Sequence, residues 1–153
     1  MPIPDHVAEL RELVGPMELW LPGVTAVVRR GDDVLFVRRA DTGEWTPVTG
    51  ILDPGEEAAV GAVREVLEET CVVARADRLA STSVVAGVTY ENGDRASYLD
   101  LCFACTYVSG EAAVGDDESS DVAWFPRDAL PPMSDHMRAR VDAALADEVA
   151  ARF

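Results

Sequence analysis

The apolar positions Val7, Leu10 and Val14 recur at helical spacing and stop at Gly15-Pro16, which predicts a short helix over residues 4–14. Beyond Pro22-Gly23 the pattern changes. Residues 24–29 and 34–38 are nearly continuous apolar runs parted by Gly31-Asp32, the signature of two strands joined as a hairpin. A loop over residues 41–44 delivers residues 45–49 to Gly50. A second loop, Asp53-Pro54-Gly55, precedes a helical pattern over residues 58–70. Two long strands, 79–90 and 96–108, flank the turn Glu91-Asn92-Gly93-Asp94. An acidic loop over residues 115–121 leads to a short strand at 122–125, a helical turn at 126–130 and a last helix from Ser134, a good N-cap, to about Val149. No repeat or linker interrupts this order. It predicts an N-terminal helical extension over residues 1–20 and a single domain over residues 21–153. The fold class is α/β, a mixed sheet sandwiched between helices.

Composition narrows the partners. Thirteen basic side chains, all arginine, face twenty-eight acidic ones, for a net charge of −15. So acidic a chain has no global field for a polyanion, and sequence-independent binding to DNA or RNA is not expected. A small phosphorylated ligand remains compatible, because a bound cation inverts the sign locally. No apolar stretch reaches membrane-spanning length, and the N-terminal residues carry charge where a signal peptide has its apolar core. A cytoplasmic protein without membrane association is the expectation. Three cysteines, Cys71, Cys102 and Cys105, do not make a disulfide framework. Cys102 and Cys105 lie three apart on a predicted strand and point to opposite faces, so they read as core residues.

The chemistry is concentrated in residues 50–72, GILDPGEEAAVGAVREVLEETCV. A helix turns about 100° per residue, which puts Glu65, Glu68 and Glu69 within one arc about 100° wide. Ala59, Ala62, Val63, Val66 and Leu67 fall on the adjoining arc and are the predicted buried stripe. Ala58 and Gly61 lie on the acidic face and leave room for something to approach. Acidic side chains this close repel, and Arg64 alone cannot neutralise three. A hard divalent cation would, and Mg²⁺ favours carboxylate oxygens together with substrate phosphates. On spacing alone a solvated acidic helix face is the commoner outcome for such a pattern.

The same string resembles the Nudix box, G-x5-E-x7-R-E-U-x-E-E-x-G-U with U aliphatic. Gly50, Glu56, Arg64, Glu65, Val66, Glu68, Glu69 and Val72 match in register. Residues 45–49 and the downstream Trp124-Phe125-Pro126 are also similar to sequence around the box in Nudix hydrolases. The late glycine of the box is Cys71 here. A non-glycine residue in a left-handed helix cap costs about 1 kcal/mol or more, so altered geometry at the helix end is expected, with the chemistry kept.

The resemblance implies a Nudix-type α/β/α sandwich and Mg²⁺-dependent hydrolysis, with Mn²⁺ as a substitute, of a diphosphate linking a nucleoside to another moiety. Alternatives are a (d)NTP pyrophosphohydrolase and a nucleotide-binding module without turnover. Carried over by position, Gly50, Glu65, Glu68 and Glu69 are the implied metal ligands, Gly50 through its carbonyl. Arg64 orients the carboxylates, and Glu56 supports that arginine from the loop. Glu68 or Glu69, or the later-loop Glu118, is the implied general base. Arg38, Arg39, Trp45 and Tyr90 are the candidates for contacting substrate, a small nucleotide diphosphate and not a nucleic-acid polymer. A homodimer is common among such proteins.

Overall fold

The computed structural model describes residues 3–153; residues 1 and 2, assigned by sequence to the N-terminal extension, lie outside the described residues. The elements run α1 (Asp5–Val14), β1 (Leu19–Arg30), β2 (Asp33–Arg39), β3 (Trp45–Thr46), β4 (Val48–Ile51), α2 (Ala58–Thr70), β5 (Val73–Thr89), β6 (Arg95–Ser109), β7 (Ser119–Pro126) and α3 (Asp135–Leu145). The β1–β2 hairpin closes over only two residue pairs, Arg29 with Val34 and Arg30 with Asp33. Its strands then diverge. β1 takes β4 on one edge and β6, in parallel, on the other, while β2 takes β7 and β3. β5 pairs antiparallel with β6. The result is a mixed seven-stranded sheet.

Alternation along the strands sorts side chains between two cores. Val24, Val28, Leu35, Val37, Phe103 and Cys105 pack beneath α2, whereas Val27, Val34, Phe36, Ala80 and Cys102 pack beneath α3. Cys102 and Cys105 therefore stand on opposite faces, both buried as free thiols. α3 is tied down by a polar thread. Arg140 Nη1 donates to Thr25 Oγ1 (3.0 Å) and Thr25 Oγ1 donates to Asp100 Oδ1 (2.8 Å). Arg140 Nε lies 3.2 Å from Asp100 Oδ2 as an ion pair lacking hydrogen-bond alignment. A buried charge pair of this kind needs its partners, because one left alone is strongly unfavourable.

Several boundaries differ from the sequence pattern. β1 starts at Leu19 and β5 at Val73, since pairing with β6 runs past the apolar runs. α3 stops at Leu145, short of Val149. Arg78 Nη2 donates to the carbonyls of Ala143 and Ala146 (both 2.8 Å) and closes the helix end, and the chain then returns to pair Arg152 with the edge of β5. The turn expected over residues 126–130 begins one residue later, because Pro126 still belongs to β7. Among the described residues no helix is long and apolar enough to cross a membrane.

The buried face of α2 also differs. Ala59 and Leu67 are exposed and Val63 is half-buried, while Ala62, Val66, Glu65, Glu69 and Thr70 are buried. Glu65 and Glu69 are turned inward because the loops before and after the helix fold over that side, while Glu68 stays exposed. Cys71 does occupy the left-handed cap, at φ 59° and ψ 12°, with its N–H donating to the Leu67 carbonyl (3.0 Å). The helix end thus keeps the geometry that favours glycine, and the expected alteration does not occur. Cys71 is the single non-glycine residue at positive φ among the described residues. Its strain should be about 1–2 kcal/mol, partly offset by the extra unfolded-state freedom of glycine. Cys71→Gly is accordingly expected to stabilise the protein by roughly 0.5–1 kcal/mol in urea unfolding; an unchanged or lower midpoint would show that the cap is unstrained.

Candidate active site

Gly50 and Glu65 set the centre of the site. Gly50 lies in β4 opposite Val24, and a Cβ there would overlap the Glu65 carboxylate. No other residue leaves that space, so glycine allows the helix carboxylate to lie flat on the strand. Gly61 serves in the same way, a turn earlier on the helix. A Cβ there would overlap Leu52 and come within 2.9 Å of Glu56 Oε2. The room on the acidic face of α2 is thus filled by the preceding loop.

Arg64 joins that loop to the helix. Its Nε and Nη2 donate to the two oxygens of Glu56 (2.7 and 2.9 Å), and its Nη1 donates to Glu65 Oε1 (2.9 Å) and Glu68 Oε2 (3.1 Å). Glu56 Oε2 also accepts the N–H of Asp53 (3.1 Å). The hydrogen bonds from Arg64 hold the Glu56 carboxyl below its ordinary value.

The other side of the site is built by residues 110–119. Ala113 N donates to the Thr70 carbonyl (3.0 Å) and Gly115 N to that of Glu69 (2.9 Å), which satisfies the last carbonyls of α2. Gly115 crosses so near the helix that a Cβ would overlap the Glu68 carbonyl. The chain then turns Asp116 and Glu118 toward α2, and the Glu118 carbonyl accepts the N–H of Ala40 (2.8 Å). Arg64, Glu65 and Glu68 line a cleft of about 310 Å³ together with Asp116 and Glu118. Glu69 lies beneath, its Oε2 3.5 Å from Ser119 Oγ.

Charge crowding is severe. Burial pushes the Glu69 carboxyl up to about 8, and Glu118, Glu65 and Asp116 add to the shift while Arg39 opposes it. Burial likewise pushes Glu65 up to about 7, against the pull of Arg64. Glu118 is raised by burial and by Asp116. An oxygen-only donor set with too little positive charge matches the chemistry of a hard divalent cation. Among the described residues, however, no three acidic, histidine or cysteine side chains stand together as a ready ligand group. Arg64 holds Glu65 and Glu68 to itself. A cation would share those oxygens with the arginine.

The substrate candidates divide. Arg39 is paired to Asp41 (2.9 and 2.7 Å) and its charge reaches Glu69 and Glu118, which puts it beside the carboxylates. Arg38 is exposed and donates to the Gly43 carbonyl (3.0 Å). Trp45 packs against Phe125, ring centroids 5.0 Å apart, in the core beneath α3. That is the face of the sheet opposite α2, so the structure does not bring it to the cleft. Tyr90 is half exposed at the end of the β5–β6 hairpin, its hydroxyl bonded to that of Tyr98, and it too stands outside the cleft lining. Asp116, Ser119 and Gly115 went unnoticed in the sequence. A glycine followed by Asp-Asp-Glu was the signal for them.

With α2 packed against a mixed sheet and a buried carboxylate–arginine cluster at its face, the architecture is that of one family. The NUDIX domain profile matches residues 19–145, and the chain belongs to this family. Among individual relatives it is 36% identical over 115 residues to the NAD-capped RNA hydrolase NudC of Pseudomonas aeruginosa. That match covers 73% of this chain and 38% of NudC, so the chain spans well under half the length of that relative. The fold is shared with an ADP-ribose pyrophosphatase from Streptococcus suis (TM-score 0.63, 21% identity, 87% of this chain and 98% of that one). A MutT NUDIX hydrolase from Burkholderia pseudomallei is similar too (TM-score 0.59, 25% identity, 81% and 97%).

Two outcomes are expected from this geometry. Gly50→Ala should destabilise the protein by driving Glu65 off the strand, and adding Glu65→Ala should restore its melting temperature. If the double variant melts no higher than Gly50→Ala alone, the glycine serves something else. Glu65 and Glu69 carry folded values above the ordinary glutamate value, so in metal-free buffer the folded protein binds more protons than the unfolded chain between about pH 5 and 8. Stability therefore falls as pH rises through that window, and Glu69→Gln should flatten the slope measured by denaturant titration.

Proposed function

We propose that the protein is a pyrophosphohydrolase that cleaves a diphosphate linking a nucleoside to another moiety, with Mg²⁺ or Mn²⁺ as cofactor. The observation that carries this reading is the set of carboxylates along one side of α2, with Glu65 and Glu69 buried and Glu68 lining the cleft opposite Glu118, short of positive charge beside Arg64. Support comes from the family and from relatives named for hydrolysing ADP-ribose and NAD-capped RNA.

Glu65, Glu68 and Glu69, with the Gly50 carbonyl, are the groups that would hold the cation. When bound, it would neutralise phosphate charge and lower the pKa of attacking water. Arg64, fixed by Glu56, positions the carboxylates without itself changing protonation. Glu118 is the general base in this reading. Its loop is tied to β2 through Ala40, and its raised value brings proton acceptance closer to neutral pH. Arg39 meets a substrate phosphate from the end of β2. The strong acidity of the chain favours a small nucleotide over a polymer.

The test is product analysis by chromatography over a panel of ADP-ribose, nucleotide sugars and nucleoside triphosphates with Mg²⁺ or Mn²⁺. Glu69→Gln should lower kcat by about two orders of magnitude or more with the circular-dichroism spectrum unchanged, and Glu118→Gln should lower it and remove the acidic limb of the pH–rate profile. Turnover near wild type in Glu69→Gln would sink the assignment. Nucleotide-induced thermal stabilisation with no product from any substrate would favour a binding module.

A further inference from the structure

The pairing of β2 with β7 breaks register once, and it does so beside the site. Val37 stands opposite Val122 and Arg38 opposite Asp121, but Arg39 stands opposite Ser119, which leaves Ser120 as an extra residue in β7. A bulge of this kind re-aims the side chains next to it. Val37 and Val122 both pack beneath α2. Strict alternation from Val122 would turn Ser120 toward that helix and Ser119 away from it. The structure has the reverse. Ser119 is 5% exposed, whereas Ser120 is exposed and donates to the Arg38 carbonyl (3.3 Å).

The exchange brings a hydroxyl to a carboxylate that has little else. Ser119 Oγ donates to Glu69 Oε2 (3.5 Å), the one side-chain hydrogen bond that Glu69 receives among the described residues. Glu69 is 4% exposed, so water is a poor substitute. Arg39, across the ladder from Ser119, acts on Glu69 by its charge and gives its hydrogen bonds to Asp41. The backbone on both sides is pinned, since Ala40 N donates to the Glu118 carbonyl (2.8 Å) and Gly115 N to the Glu69 carbonyl (2.9 Å). A serine has a single hydroxyl hydrogen to give. Spent on Oε2, it leaves Oε1 without a protein donor.

We propose that the bulge makes Ser119 the positioning residue for Glu69, its hydroxyl holding Oε2 so that Oε1 stays free for a cation. This rests on the cation-dependent reading above and adds to it a residue that acts through a carboxylate. Groups that orient a metal's ligands in this way commonly govern its affinity.

The test is Mn²⁺ titration of the intact protein, followed by the electron paramagnetic resonance signal of the free ion. Ser119→Ala should weaken binding about tenfold, with an unchanged melting curve in EDTA. Ser119→Cys keeps the volume but offers only a weak donor, and should lose affinity as the alanine variant does. Ser119→Thr keeps the hydroxyl and should bind as wild type does, and so should Ser120→Ala. Wild-type affinity in Ser119→Ala, or an equal loss in Ser120→Ala, overturns the proposal and leaves the cation reading standing. If wild type binds no Mn²⁺, the cation reading fails separately, and urea unfolding in EDTA decides the pairing. There the midpoint shifts of Ser119→Ala and Glu69→Ala should not add in the double variant; additive shifts would show that the two side chains are uncoupled.

Discussion

The guanidinium of Arg64 is the junction on which the site depends. Three carboxylates on two elements converge on it, Glu56 from the loop and Glu65 and Glu68 from α2. Without it, those groups would stand close together in a partly buried setting, where repulsion is poorly screened. With it, the loop between β4 and α2 becomes a rigid extension of the helix. Gly50 and Gly61 are the steric counterpart, since Gly50 gives up its Cβ to the Glu65 carboxylate and Gly61 to Leu52 and the adjacent Glu56. Charge and volume therefore specify the same geometry.

The second half of the site depends on the end of α2. A helix leaves its last carbonyls without intrahelical partners, and here the loop over residues 110–115 supplies two of them. Its close crossing at Gly115 carries Asp116 and Glu118 over the buried Glu69. A structural necessity of the helix thus places acidic groups where they raise one another's proton affinity. Cys71, in its left-handed cap, lies at the same end. The turn there is held from both sides, by the Leu67 carbonyl and by the crossing loop, which explains why a strained residue keeps the glycine geometry.

Much of this was legible in the sequence, and unevenly so. The bounds of α2, the N-cap Ser134 and the opposed cysteines followed from local period and spacing. The buried stripe of α2 did not. Counting apolar residues favours Leu67 and Ala59, but burial was decided by two loops that fold over the acidic side, a long-range effect no window contains. Arg38 and Arg39 looked equivalent as neighbours. Strand alternation separates them, sending Arg39 toward Glu69 and Glu118 and Arg38 to the loop at Gly43. Trp45 looked like a stacking residue because aromatic side chains serve both purposes. Its partner Phe125 comes from β7, distant in sequence and adjacent in space.

The site is, in energetic terms, a deliberate local conflict. Glu65 and Glu69 are almost inaccessible to water, a placement that costs free energy unless the charge is matched or the proton retained. Arg64 and Arg39 together fall short of matching the carboxylates around them. A fold selected for stability alone would fill those positions with apolar side chains, as it does at Ala62 and Val66 on the same helix. Carboxylates kept there either retain their protons or, under the proposed function, meet a cation entering by the cleft beside Glu68 and Glu118. Under the proposed function, the deficit of positive charge would tie the stability of this helix face to the cation that binds it.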